Sequence, residues 1–143
     1  MRIFLDANIL VSVLNKEYPL YTYSSRIVSL ADHKEFEVFT SPICLAIAFY
    51  FAEKKNKKLA RQKVALLGER LSISGISETT VRKVTKNLAI HDFEDGLEYY
   101  AALESKCECI ITEDVKDFYF SDIEVISAEN FFEKYLTRKN RSF

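Results

Sequence analysis

Apolar positions along the chain follow two alternating rhythms. Short, nearly unbroken apolar runs read as buried strands: RIFLD (2–6), EVFT (37–40), ECIIT (108–112) and the segment 123–126. Between them, apolar residues recur every three or four positions, the helical period. Ile9, Leu10, Val13 and Leu14 mark a helix over 8–15, and Ile27, Val28 and Leu30 mark another over about 20–33. Ser41-Pro42 then opens a helix, a capping residue followed by Pro at the first helical position. That helix is apolar nearly all round as far as Ala52, which predicts that it is largely buried. A charge run over 53–63 follows, then an amphipathic helix over 59–71. Residues 71–76 (LSISGI) alternate as a third strand. Further helices are predicted from Ser77 or Glu78 to about 88, over 92–105 and over 128–136. No internal repeat, low-complexity tract or linker interrupts the pattern.

Strands separated by helices imply an α/β domain with a parallel sheet covered on both faces. Right-handed crossovers place all strand carboxyl ends on one edge, where such sheets bind ligands. The 143 residues are expected to form a single domain, 1–143, with a basic flexible tail over 137–143. At 48% hydrophobic and 29% charged, the composition is that of a folded chain, and 3 Gly with 2 Pro excludes a sandwich of many short strands. Charge nearly cancels at −1, which excludes nucleic-acid binding by bulk electrostatics and leaves local patches. The longest apolar run, 42–52, is too short to cross a bilayer, and no leader-like segment precedes the first strand. The 3 Cys cannot all pair within one chain, and Cys107 and Cys109 have no matching ligand pair for zinc. A cytoplasmic, reduced location without membrane association is the expectation.

Acids gather at the predicted functional edge. Asp6 ends the first strand, Asp114 lies just past the fourth with Asp117 three residues on, and Asp92 and Asp95 open the helix that leads into that strand. On this helix, positions 92, 95 and 99 share a face, with Glu94 and Glu98 on a neighbouring one. Singly, these acids suit helix caps or turns. Together on one edge they would raise one another's pKa unless a cation neutralised them. Oxygen ligands without Cys or His select Mg²⁺ or Mn²⁺, which serve phosphoryl-transfer chemistry.

FLDANIL, DFEDGLEYYAAL and IITEDVKDF, in this order and spacing, resemble the PIN-domain family, most of all its small prokaryotic members related to VapC-type toxins. The similarity runs from Ile3 to about Leu136. It implies a three-layer α/β/α sandwich with a mainly parallel sheet and an Mg²⁺- or Mn²⁺-dependent ribonuclease, a toxin held inactive by a partner antitoxin. It also implies a homodimer. Carried over by position, Asp6, Asp95 and Asp114 would be the catalytic, metal-holding acids, supported by Asn8, Asp92, Thr112 and Asp117. One position departs from the family pattern. The helix after the second strand usually carries a Glu about six residues beyond its first Ser, and here that residue is Ile47. Glu53 lies roughly 9 Å further along the helix. The alternative reading is therefore a degenerate, non-catalytic PIN module that binds RNA or a protein partner.

The stretch KKNKKLARQK (54–63) holds six basic residues and reads either as a solvated helix face or as a phosphate-binding patch, with Lys54, Lys55, Lys57, Lys58 and Arg61 as RNA-binding candidates. Arg82, Lys83 and Lys86, or Arg138, Lys139 and Arg141 in the tail, would extend it. Two aromatic clusters, Tyr18, Tyr21 and Tyr23, then Phe49, Tyr50 and Phe51, read as core packing or a subunit interface.

Overall fold

The first strand, β1 (Arg2–Leu5), is the middle strand of its sheet, and Ile3, Phe4 and Leu5 have no exposed surface. A computed structural model describes residues 1–137 of the chain. The other strands are β2 (Glu37–Thr40), β3 (Ser72–Ile73), β4 (Cys109–Ile111) and β5 (Glu124–Ile126). They pair in the order β3-β2-β1-β4-β5, every pair parallel. Seven α-helices among the described residues cover the sheet: α1 (Ala7–Leu14), α2 (Tyr21–Ser29), α3 (Pro42–Lys55), α4 (Lys57–Arg70), α5 (Glu78–Lys86), α6 (Phe93–Glu104) and α7 (Ala128–Phe131). This is the α/β/α sandwich expected from the sequence. Burial on both faces explains why β1 and β4 are unbroken apolar runs rather than alternating ones.

The strand order carries the functional information. The chain builds outward from β1 through β2 to β3, then returns to add β4 and β5 on the other side of β1. The direction of winding therefore reverses between β1 and β4, and crossover helices diverge there to leave a crevice at the carboxyl ends. Registers of Phe4 with Ile110 and Leu5 with Ile111 bring Asp6 beside Thr112 at the mouth of that crevice.

Several boundaries differ from expectation. The second helix ends at Ser29 and continues as a single 3₁₀ turn, Leu30–Asp32. The third strand is two residues long, because Ser74 already turns its hydroxyl back onto the Thr40 carbonyl. The last helix passes after Phe131 into a π-helical turn over Phe132–Thr137. The charge run 53–63 is two helices meeting at Asn56, whose side chain caps α4 by accepting from the Leu59 amide at 3.3 Å.

The largest correction concerns α3. It is apolar nearly all round but only Cys44, Ala48 and Ala52 are buried, one residue per turn facing inward. Tyr50 and Phe51 stand 53% and 44% exposed. No helix among the described residues is long and apolar enough to cross a membrane, and the three cysteines are free and buried. The tail residues Arg138, Lys139 and Arg141 lie outside the described residues.

Candidate active site

Three segments build the crevice. Asp6, immediately after β1, caps α1: its Oδ1 accepts from the Ala7 amide at 2.6 Å and its Oδ2 from the Thr112 hydroxyl at 2.7 Å. Capping suits Asp6 because its extended backbone ends the strand while its carboxylate satisfies an otherwise free helical amide. Thr112, fully buried just past β4, also accepts from Asn8 Nδ2 at 3.2 Å and from the Asp114 amide at 3.0 Å. A threonine hydroxyl has one proton and two lone pairs. Both lone pairs being taken, the proton is directed at Asp6. Asn8 completes the clasp, donating to Asp114 Oδ2 at 3.1 Å and accepting from the Glu113 amide at 3.2 Å.

Helix α6 brings the remaining acids. Asp92 caps it, accepting from the Asp95 amide at 2.9 Å. Asp95 sits half-buried in the first turn with its pKa pushed up to about 7, first by burial and then by the charges of Asp92, Asp6, Asp117 and Glu94. Glu94 is raised as well, by burial and then by Asp92 and Asp6. Asp117 thus acts on the site through its field, from the exposed 3₁₀ turn Val115–Phe118.

Helical spacing assigns Glu94 and Glu98 to a face beside that of Asp95. In the structure the carboxylates of Glu94, Asp95 and Glu98 lie within 4.8 Å of one another. Glu98 has no exposed surface, and its Oε1 accepts from the Cys44 thiol of α3 at 2.6 Å. Burial, then the charge of Asp6 and a hydrogen bond with it, push the Glu98 carboxyl up to about 11, so it carries a proton at neutral pH. The Cys44 thiol is likewise raised, by burial and then by Glu98. Sequence reasoning left Glu98 out of the site. A signal was present, because Glu98 interrupts the stripe formed by Leu97, Ala101 and Ala102, where a buried helix face should be apolar.

These acids open onto a cavity of about 360 Å³ lined by Asp6, Asn8, Asp95 and Asp114, with Glu94 and Ile47 on its walls. Ile47 therefore occupies the place from which an α3 acid would face the crevice. Among the described residues the ion pairs are Arg2–Glu37, Arg70–Asp32, Arg82–Glu78 and Lys134–Glu124, none at this site. An unneutralised group of hard oxygen donors, with three carboxyl groups shifted upward by burial and mutual repulsion, fits a divalent cation such as Mg²⁺ or Mn²⁺.

The basic candidates stand apart from this crevice. Lys55 donates to the Asn15 carbonyl and Lys63 to that of Leu14, so both cap the carboxyl end of α1, the end opposite Asp6. Lys54 lies 4.4 Å over the Tyr50 ring, while Lys57, Lys58 and Arg61 are exposed on the first turns of α4. Fourteen residues of α3 separate Ser41 from Lys55, roughly 20 Å along the helix.

The chain resembles known proteins over most of its length. A ribonuclease named VapC1 from Aquifex aeolicus (strain VF5) is 27% identical over 140 residues, covering 95% of this chain and 96% of that protein. The 2.2 Å structure of VapBC-1 from nontypeable Haemophilus influenzae superposes with a TM-score of 0.67 at 22% identity, covering 90% of this chain and 99% of that one. The crystal structure of Mycobacterium tuberculosis VapC20, described as a sarcin-ricin loop cleaving toxin, superposes at 0.65 with 16% identity, over 85% and 98% of the two chains. At these identities the structures attest the fold. The model of the PIN domain matches residues 2–116, which span β1, β4 and every acid that lines the cavity, and the chain belongs to the PIN domain family.

Proposed function

We propose that the chain is a metal-dependent endoribonuclease and the toxin of a toxin–antitoxin pair. One observation carries the reading: Asp6, Asp95 and Asp114 converge from three separate segments on one cavity at the reversal point of the sheet, with no basic side chain among the described residues to neutralise them. The ribonuclease name of the Aquifex relative, similar over nearly its whole length, supports RNA as the substrate. The VapBC naming of structural relatives supports an antitoxin partner.

In this reading Asp6, Asp95 and Asp114 hold Mg²⁺ or Mn²⁺. When bound, the ion supplies an activated water and neutralises charge on the phosphodiester. Thr112 and Asn8 fix the directions of the Asp6 and Asp114 carboxylates. Asp92 fixes the first turn of α6, and with it Asp95. Asp117 adds negative potential without entering the cavity. In-line displacement at the phosphate would leave 3′-hydroxyl and 5′-phosphate ends. Lys57, Lys58 and Arg61 are placed to meet backbone phosphates further along a bound strand.

The test is cleavage of a structured RNA by the purified protein in Mn²⁺, Mg²⁺ or EDTA, beside Asp95→Asn. Cutting that requires the metal and falls at least 100-fold in the variant, a loss of about 2.7 kcal/mol in barrier lowering, supports the proposal. Equal silence of two folded proteins would defeat it. A second reading, a PIN module that binds RNA or a protein without cutting, draws on Ile47 at the cavity wall. A large gain of cleavage in Ile47→Glu would favour it.

A further inference from the structure

Glu98, fully buried behind the lining of the crevice, is common to the two tight groups of ligand atoms found among the described residues. The ligand atoms of Asp6, Cys44 and Glu98 lie within 4.8 Å of one another, and so do those of Glu94, Asp95 and Glu98. It therefore joins the β1 side of the site to the α6 side. Oε1 accepts from the Cys44 thiol, while Oε2, fully buried, receives no donor; without a cation the Glu98 carboxyl faces the Asp6 carboxylate, an acceptor it can meet only by keeping its own proton. Burying a carboxyl on these terms costs several kcal/mol relative to an apolar side chain of the same size. The neighbours along the helix, Leu97, Ala101 and Ala102, show that an apolar residue suits this layer. An acid left there within 4.8 Å of Asp6 on one side and of Asp95 on the other, with no ion pair to it among the described residues, is arranged for a ligand that brings positive charge.

Ile47, where the family pattern places an acid, lines the cavity, and Cys44 lies one turn before it on the same helix face. The thiol is held protonated by burial, so it is a donor to Oε1 and not a soft ligand. We propose that Glu98 is the fourth acid of the cation site, reaching it from α6 in place of the α3 position that Ile47 occupies, with Cys44 holding its Oε1; this rests on the metal-dependent reading above.

The experiment is calorimetric titration of Mn²⁺ into metal-free protein, with no RNA present. Glu98→Gln preserves the shape of the carboxyl and its contact with Cys44 but cannot supply charge to the ion. It should weaken Mn²⁺ binding at least tenfold, the scale on which even outer partners of metal ligands count. Its thermal melt in EDTA should be no lower than that of the wild type, because the amide has no charge to desolvate. Glu98→Asp, which keeps the acid but withdraws it by one methylene, should also bind more weakly and serves if the amide fails to fold. Adding Ile47→Glu to Glu98→Gln should recover most of the lost affinity. Wild-type affinity in both Glu98 variants would overturn the inference and leave the metal-dependent reading standing. A wild-type protein that binds no Mn²⁺ would overturn both.

Discussion

The Thr112 hydroxyl, at the end of β4, donates to Asp6 Oδ2, at the end of β1, across 2.7 Å and 106 residues of sequence. The same oxygen accepts from Asn8 and from the Asp114 amide, so one buried atom orients the β1 acid and the turn that carries Asp114. Thr112→Val keeps the shape and deletes all three bonds. It should lower unfolding stability by about 1–3 kcal/mol, the cost of leaving buried polar groups unpaired. Mn²⁺ affinity should fall about tenfold, and Thr112→Ser should restore most of both. Urea unfolding and Mn²⁺ titration check this, and a valine variant as stable as the wild type would refute it.

The metal-free protein should be more stable in mild acid than at neutral pH. Asp95 and Glu98 both have folded-state pKa values above their ordinary ones, about 7 and about 11. Above the ordinary carboxylate range the folded state therefore binds more protons than the unfolded chain, and stability declines as pH rises. The Asp95 contribution is present below about pH 4 and is lost by the time pH passes 7, while that of Glu98 continues to decline beyond it. Solvent screening trims the Asp95 share, because that residue is only half-buried. Thermal melts in EDTA at pH 5, 6, 7 and 8 should show the decline. Asp95→Asn should reduce its slope between 5 and 7, leaving the Glu98 share, and Mn²⁺ should flatten it in the wild type. Parallel profiles for wild type and variant would count against the assignment.

Much of this was legible because it is local. Unbroken apolar runs marked β1 and β4 as buried strands of a parallel sheet, so the acids that follow them, Asp6 and Asp114, had to lie at one edge. The caps Ser41, Ser77 and Asp92 sit where residue type and the following helical period place them. Glu98 was hidden because its partners are remote: Cys44 is 54 residues earlier, and Asp6 lies earlier still, just past β1. Periodicity shows that a residue lies on a face but not which element covers it. The same limit explains α3, whose apolar circumference implies burial all round. Only the sides toward α1, α4 and α6 are closed, and Tyr50 and Phe51 are left outside. The basic run suffered likewise, since Lys55 and Lys63 turn toward the end of α1, a neighbour absent from the local pattern.

Gly96, between Asp95 and Leu97, allows α5 and α6 to approach closely. A Cβ there would lie 2.6 Å from Val84 Cγ1 and 2.8 Å from Ile90 Cγ2. Both neighbours are β-branched and packed, so they cannot swing clear as the end of a long side chain would. Alanine is favoured over glycine in a helix by about 1 kcal/mol, but overpacking costs about 1–3 kcal/mol. Gly96→Ala should therefore be net destabilising, by about 1 kcal/mol in denaturant unfolding. Displacement of α6 should also weaken Mn²⁺ binding, since Asp95 and Glu98 flank the site of strain. A stabilised variant would show that the two helices separate easily.

Ile47→Glu separates a complete site from a degenerate one. The new carboxyl would enter a cavity already lined by Asp6, Glu94, Asp95 and Asp114, and like charges at this spacing repel. In EDTA the variant should melt below the wild type, and Mn²⁺ should close most of the gap because the ion neutralises the added charge. If Glu98 already fills the fourth acidic position, cleavage should change by less than about threefold, a barrier difference under 1 kcal/mol. The test is RNA cleavage in saturating Mn²⁺, run beside melts with and without metal. A gain of 100-fold or more would mean that the α3 acid was the missing element and that Glu98 does not replace it.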